Sequence, residues 1–250
     1  MIFLFAILFL GFVAAFIAIL KKKNMLNWMP SYVMQRLSFG TKPAGPTHII
    51  FSFVDHYEPQ WGKPKSIDIE RQRVDRWLAD YPKMASKHVD ADGFHPQHTF
   101  FYPEEEYRYE HLNKIADICQ QGFGEIEVHL HHHNDTEENL RALLDRFCNT
   151  LHEEHGALSK NPETGQLNYG FIHGNWALDN CDPSGKNCGI NNELIILRET
   201  GCYADFTFPS APHPTQPSTI NSIYYAKDDP NAPASHDKGK PVKVGGKPWG

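Results

Sequence analysis

The polarity pattern along the chain has three parts: a wholly apolar opening, a short irregular stretch, and a long region where apolar runs alternate with amphipathic ones. Residues 1–20, MIFLFAILFLGFVAAFIAIL, carry no charge, and roughly 19 consecutive apolar residues match the hydrocarbon thickness of a bilayer. Residues 1–23 therefore read as a transmembrane anchor. A cleaved secretory signal is the rival reading. Against it stand the missing basic n-region, an apolar run longer than usual, and the lack of an A-x-A-like site. Residues 24–46 mix Met, Trp, Pro and Gly without a period, and read as a juxtamembrane linker with room for one helical turn.

From Thr47 the alternation becomes regular. THIIFSFVDHYEP is an apolar run of strand length that ends in polar residues, and the spacing of Ile69, Val74, Trp77, Leu78 and Tyr81 predicts a helix over 67–88. QHTFFYP at 97–103 reads as a second strand, and 107–121 as a helix stopped by Gly122 and Gly124. Residues 125–131 form a third strand. The helix after it opens at Asp135-Thr136-Glu137-Glu138 and keeps its period through Leu140, Leu143, Leu144, Phe147 and Leu151 to about His155. NYGFIHGNWAL, a short helix at 191–200, CYADFTFPS and residues 221–226 complete a domain spanning 47–226. Residues 227–250 are a Pro/Gly-rich tail that stops before a barrel could close.

Strand and helix in alternation predict an α/β domain with mostly parallel strands, either an open doubly wound sheet or a β/α barrel. Both architectures place their sites at the carboxyl ends of strands, which is where Asp55, His56, the run EVHLHHHNDT and the segment His173–Trp176 fall.

Composition narrows the chemistry. At 250 residues the chain can bury one main core, and a net charge of -6 with scattered cations gives nucleic acid little electrostatic footing. Lys21, Lys22 and Lys23 follow the apolar segment, so the positive-inside rule holds the domain on the cytoplasmic side. Cys181 and Cys188 bracket one loop and can pair in an oxidising space, whereas Cys119 and Cys148 fall on apolar helix faces as core thiols.

The 15 histidines are the outlier, and four of them lie within HLHHH at 129–133. On a strand Glu127, His129 and His131 share a face. If a helix follows at once, Asp135 returns one turn after His131, and imidazole plus carboxylate suits a divalent ion, zinc first. The pair His129 and His133 is the rival ligand choice, and His132 reads as structural. Asp55 and His56 are adjacent and face opposite ways on a strand, so one can hold metal while the other acts as base, with Glu58 a second base candidate.

Several segments resemble motifs of the polysaccharide deacetylase superfamily. QHTFFYP is similar to its aromatic "ATFF" strand, EVHLHHHND to its E-[IV]-G-x-H-[ST]-x-x-H metal motif, and FSFVDHYEP to its T-F-D-D motif, in the same order. ELIILRETGCYADFTFPS is similar to the later segment in which a helix and "GY" lead into a strand. The resemblance covers roughly residues 48–210. It implies an incomplete or distorted (β/α) barrel, a divalent metal, and hydrolysis of an N-acetyl group on a surface or envelope glycan. Carried over by position, Asp55 is the general base, His56, His131 and Asp135 are metal ligands, and His129 stands where the family has Gly. His173, Asn175 and Trp176 occupy the place of the R-x-P-Y segment and line the substrate groove, while His213 and His236 are the candidates for a late general acid. The alternative is a catalytically silent member of the fold that binds a glycan or scaffolds a membrane assembly.

Overall fold

The computed structural model describes residues 2–38, 45–46 and 49–242 of the chain. The expected domain start at Thr47 and the tail from 243 onward lie outside the described residues. Helix α1 (Ile2–Lys22) is long and apolar enough to cross a membrane, and only 6% of its most apolar window is buried. The segment expected as a linker holds a ten-residue helix, α2 (Met29–Ser38), instead of a single turn. Three side-chain amides dock this segment: Asn24 donates to the Pro212 carbonyl, Asn27 to that of Gln216 and Gln35 to that of Ile220.

The domain alternates β1 (Phe53–His56), α3 (Ile67–Ala85), β2 (His98–Pro103), α4 (Tyr109–Gln120), β3 (Gly124–Leu130) and α5 (Glu137–His155). A two-residue strand β4 (Ser159–Lys160) then precedes β5 (Leu167–His173), α6 (Glu193–Glu199) and β6 (Cys202–Asp205). Strands β1, β2, β3, β5 and β6 pair in parallel in chain order, with β4 antiparallel to β5. The strand order never reverses, so right-handed crossovers place successive helices on one face of the sheet. No ladder joins β1 to β6 among the described residues. Residues 221–226 do not extend the sheet: β7 (Tyr224–Ala226) pairs antiparallel with β8 (Gly239–Pro241) as a separate hairpin.

Register separates the two faces. Phe100 pairs with Ile126, and Tyr102 with Val128, which pairs with Phe171. These side chains meet Val74, Leu112, Ile115, Leu140, Leu144 and Leu151 of the helices in one core. The opposite face carries His56, Phe101, Glu127, His129 and Ile172, which are lateral neighbours by the same register. Packing on the helix side thus fixes which polar residues stand together on the other.

Asp55 falls on the helix side. Its carboxylate lies 3.4 Å from His98 Nε2, and His98 is packed against Trp77, Tyr81 and Phe100. The five thiols are free, including Cys181 and Cys188, while Cys148 is buried as a core residue.

Candidate metal centre

His56 closes β1, and the chain turns after it so that Tyr57 enters the core and Glu58 comes back beside His56. Glu58 Oε1 lies 3.7 Å from His56 Nδ1, 3.9 Å from His129 Nε2 and 3.7 Å from His131 Nε2. One carboxylate oxygen therefore stands nearly equidistant from three imidazole nitrogens. The rings crowd each other, with centroids 4.8 Å apart for His56 and His129 and 4.5 Å apart for His129 and His131.

His129 is the deepest member, with no exposed surface. Its Nδ1–H donates to the Phe101 carbonyl at 3.2 Å, which leaves the lone pair on Nε2, and that buried atom has no hydrogen-bond partner among the described residues. Burial first, then the neighbouring His131 and His56 rings, hold its pKa well below the usual histidine value, so the ring stays neutral. At His131 burial acts downward, but Glu105 on Nδ1, with Glu58 and Glu106, outweighs it and raises the pKa. Burial lifts Glu106 to about 7 against the N–H donated by Gln60 at 2.7 Å.

Gly174, just past β5, closes the floor. Its N–H donates to the Leu130 carbonyl at 2.7 Å, and a β-carbon there would collide with His129 Nε2 and His131. The absent side chain lets the β5 turn press against two imidazoles. On the rim, the Trp176 ring lies 6.3 Å from His56 and 5.3 Å from His213, and remains 38% exposed. Asn175 is half-buried beside it. A cavity of about 430 Å³ opens on the far side of His131, lined by Glu104, Glu105, His133 and Asp135.

Of the expected ligands, His56 and His129 meet with Glu58 in one group of ligand atoms within 4.8 Å of one another, His131 stands beside that group at 3.7 Å from Glu58, and Asp135 does not join it, nor does Asp55. Asp55, expected as the base, faces His98 because strand alternation sends it to the face opposite His56. Asp135, expected beside His131, turns to His132, whose Nδ1–H it accepts at 3.0 Å. The reason is local. Helix α5 starts at Glu137 behind its Thr136 cap, and Asn134 has φ 49°, so residues 131–135 do not form a helical turn. His133 is exposed and belongs to neither imidazole cluster.

His173, expected in the groove, is fully buried and lies against His132, ring centroids 4.7 Å apart. Glu193 joins them from the start of α6, accepting the His132 Nε2–H at 2.9 Å and the Asp179 N–H at 2.7 Å. Burial lowers His132, but Glu193 and Asp135 overcome it and raise its pKa to about 10. Burial first, with the His132 and His131 rings beside it, pushes His173 down to about 4 against the pull of Glu193. His236 lies 3.4 Å from Asp179 and stacks on Phe208 as a buried residue.

The sequence carried a signal for Glu58, which follows the last strand residue by two and precedes Pro59. It carried none for Glu193, 61 residues from His132. The chain matches no protein-family model, no curated protein and no solved structure.

Proposed function

We propose that the chain is a membrane-anchored, metal-dependent hydrolase of the polysaccharide deacetylase type, in a divergent and incomplete β/α barrel, removing N-acetyl groups from a surface or envelope glycan. The observation that carries this reading is the orphaned, buried His129 Nε2, aimed at the space between His56, His131 and Glu58. Ligands on a tetrahedral zinc with bonds of about 2.0–2.1 Å stand about 3.4 Å apart. Separations of 3.7 and 3.9 Å from Glu58 Oε1 to His56 and His129 need only a small contraction to match, while His131, outside the group within 4.8 Å, needs a larger inward shift. An apolar α1 that is only 6% buried over its most apolar window among the described residues favours a bilayer over a protein core as its surroundings.

His56, His129 and His131 would hold the ion, which supplies Lewis-acid polarisation of the acyl oxygen and lowers the pKa of a water. The Phe101 carbonyl and Glu105 carboxylate fix the outward nitrogens of two of the rings, as partners of ligand histidines do. Glu58 stands within 4 Å of all three imidazoles and would accept the proton of a water activated there. Glu58 thus takes the role that the resemblance assigns to Asp55. Trp176 offers an indole face to a sugar ring, and His213 beside it protonates the leaving amine.

The test uses the full chain in detergent, purified without chelator. Bound zinc that is lost in His129→Ala, with acetate released from an N-acetylated oligosaccharide only by the metal-loaded wild type, is the expected result. Metal content unchanged by His129→Ala would sink the proposal. Retained metal without acetate release would favour the silent glycan-binding alternative, for which the displaced Asp55 is the supporting observation.

A further inference from the structure

Adjoining the first cluster, with His132 next to His131 and His173 next to Gly174 in the chain, lies a second convergence of donors. His132, His173 and Glu193 are 7%, 0% and 0% exposed, and one ligand atom from each lies within 4.8 Å of the other two. We propose that these three residues form a second site for a divalent transition ion such as zinc, one that cross-links the loops around the first cluster.

Three observations support it. The first is geometric: His132 Nε2 and Glu193 Oε1 are 2.9 Å apart, close to the roughly 3.3 Å between two ligands on one zinc. His132 is also held as ligand histidines usually are, its outward Nδ1–H given to the Asp135 carboxylate. The second is an orphan. His173 Nε2 is buried without a hydrogen-bond partner among the described residues, a rare condition for an interior polar atom.

The third is charge. Asp135 and Glu193 bring two carboxylates to the cluster, and their shared His132 can bring only one positive charge. The Thr136 N–H and Asn139 amide also bond Asp135 and the Asp179 N–H bonds Glu193, so a purely structural ion pair satisfies the carboxylates and leaves His173 idle. A divalent ion with two neutral imidazoles balances the carboxylates and employs His173.

Binding has a definite proton balance. The Nε2–H bond of His132 breaks, its lone pair goes to the ion, and one proton leaves to solvent. His173 ligates through Nε2 only if its ring proton sits on Nδ1, so the 3.3 Å bond from the Asn175 N–H to Nδ1 is given up. The 174–176 turn shifts accordingly. The turn carries Gly174 against His129 and Trp176 beside His56, so the second site shapes the first through that segment.

The experiment measures zinc per chain by elemental analysis on full-length protein in detergent, for wild type, Glu193→Gln, His129→Ala and the double variant. Two equivalents in wild type, one in each single variant and none in the double is the expected series. Zinc content identical in Glu193→Gln and wild type overturns the second site. If the first site is the one that fails, His129→Ala leaves the content unchanged while Glu193→Gln still removes one equivalent. Should Glu193→Gln not fold, His129→Ala decides alone: a folded His129→Ala protein that holds no zinc overturns the proposal.

Discussion

Replacing Gly174 by Ala adds one methyl group at the narrowest point between β5 and the imidazoles. Gly174 does not adopt a positive φ, so alanine suits the backbone, and a compatible Gly→Ala change is worth about 0.4–1 kcal/mol of stabilisation through the unfolded state. Packing opposes it. The new β-carbon would lie 2.5 Å from His131 Nε2 and closer still to His129 Nε2, and the 2.7 Å bond from Gly174 N–H to Leu130 keeps the backbone from retreating. Overpacking of this kind costs about 1–3 kcal/mol, so the net expectation is a loss of about 1–2 kcal/mol, or about 2–8 °C in Tm for a chain of this size. Displaced rings no longer converge, and zinc affinity should fall at least ~10-fold, the low end for losing a ligand's positioning partner. Competition with a chromogenic chelator reads the affinity and thermal denaturation with and without chelator reads the stability. Gly189→Ala is the paired variant for the second cluster: its β-carbon would strike His132, 2.6 Å from Nδ1, so its loss of zinc should come from that site first. Wild-type zinc affinity in Gly174→Ala would refute the convergence argument.

Two further predictions follow from the faces of the sheet. Asp55→Asn should keep both metal and acetate release, while Glu58→Gln should lose at least ~10²-fold in kcat, the usual range for general-base removal; steady-state kinetics on the two variants decides between these carboxylates. The other concerns pH. Glu127, 5% exposed, accepts from the Gly170 N–H and the Tyr203 hydroxyl, yet burial raises its pKa from 4.5 to about 7. The unfolded chain then releases this proton near 4.5 and the folded chain near 7, so stability drops as pH rises between them, by about 3 kcal/mol at most. Glu127→Gln should flatten that slope in urea denaturation at pH 4.5–8. An unchanged slope would show that other groups set it.

The alternation of strands and helices was readable because each amphipathic run carries its own period, as Leu140 to Leu151 do along α5. The location of the site at the strand ends was readable for the same reason. What could not be read was how the chain turns after a strand. Alternation already set Asp55 against His56, but only the turn at Tyr57 returns Glu58 to the His56 side. The four-residue spacing of His131 and Asp135 suggested a helical turn, whereas the left-handed Asn134 and the Thr136 cap delay the helix and hand Asp135 to His132. Glu193 reaches its partner across 61 residues, a closure that no local pattern encodes.

The docked segment after α1 has a mechanical consequence. Residues 24–46 as a free coil would let the domain wander with an r.m.s. reach of about 26 Å from its attachment point. Asn24, Asn27 and Gln35 instead clamp the start of that segment onto the 212–220 loop. With α1 in a bilayer, those three bonds hold the 212–220 loop near the membrane surface instead of at the end of a free tether. Under the function proposed above, a centre held in this way would reach only those acetyl groups that stand within a narrow band above the lipid.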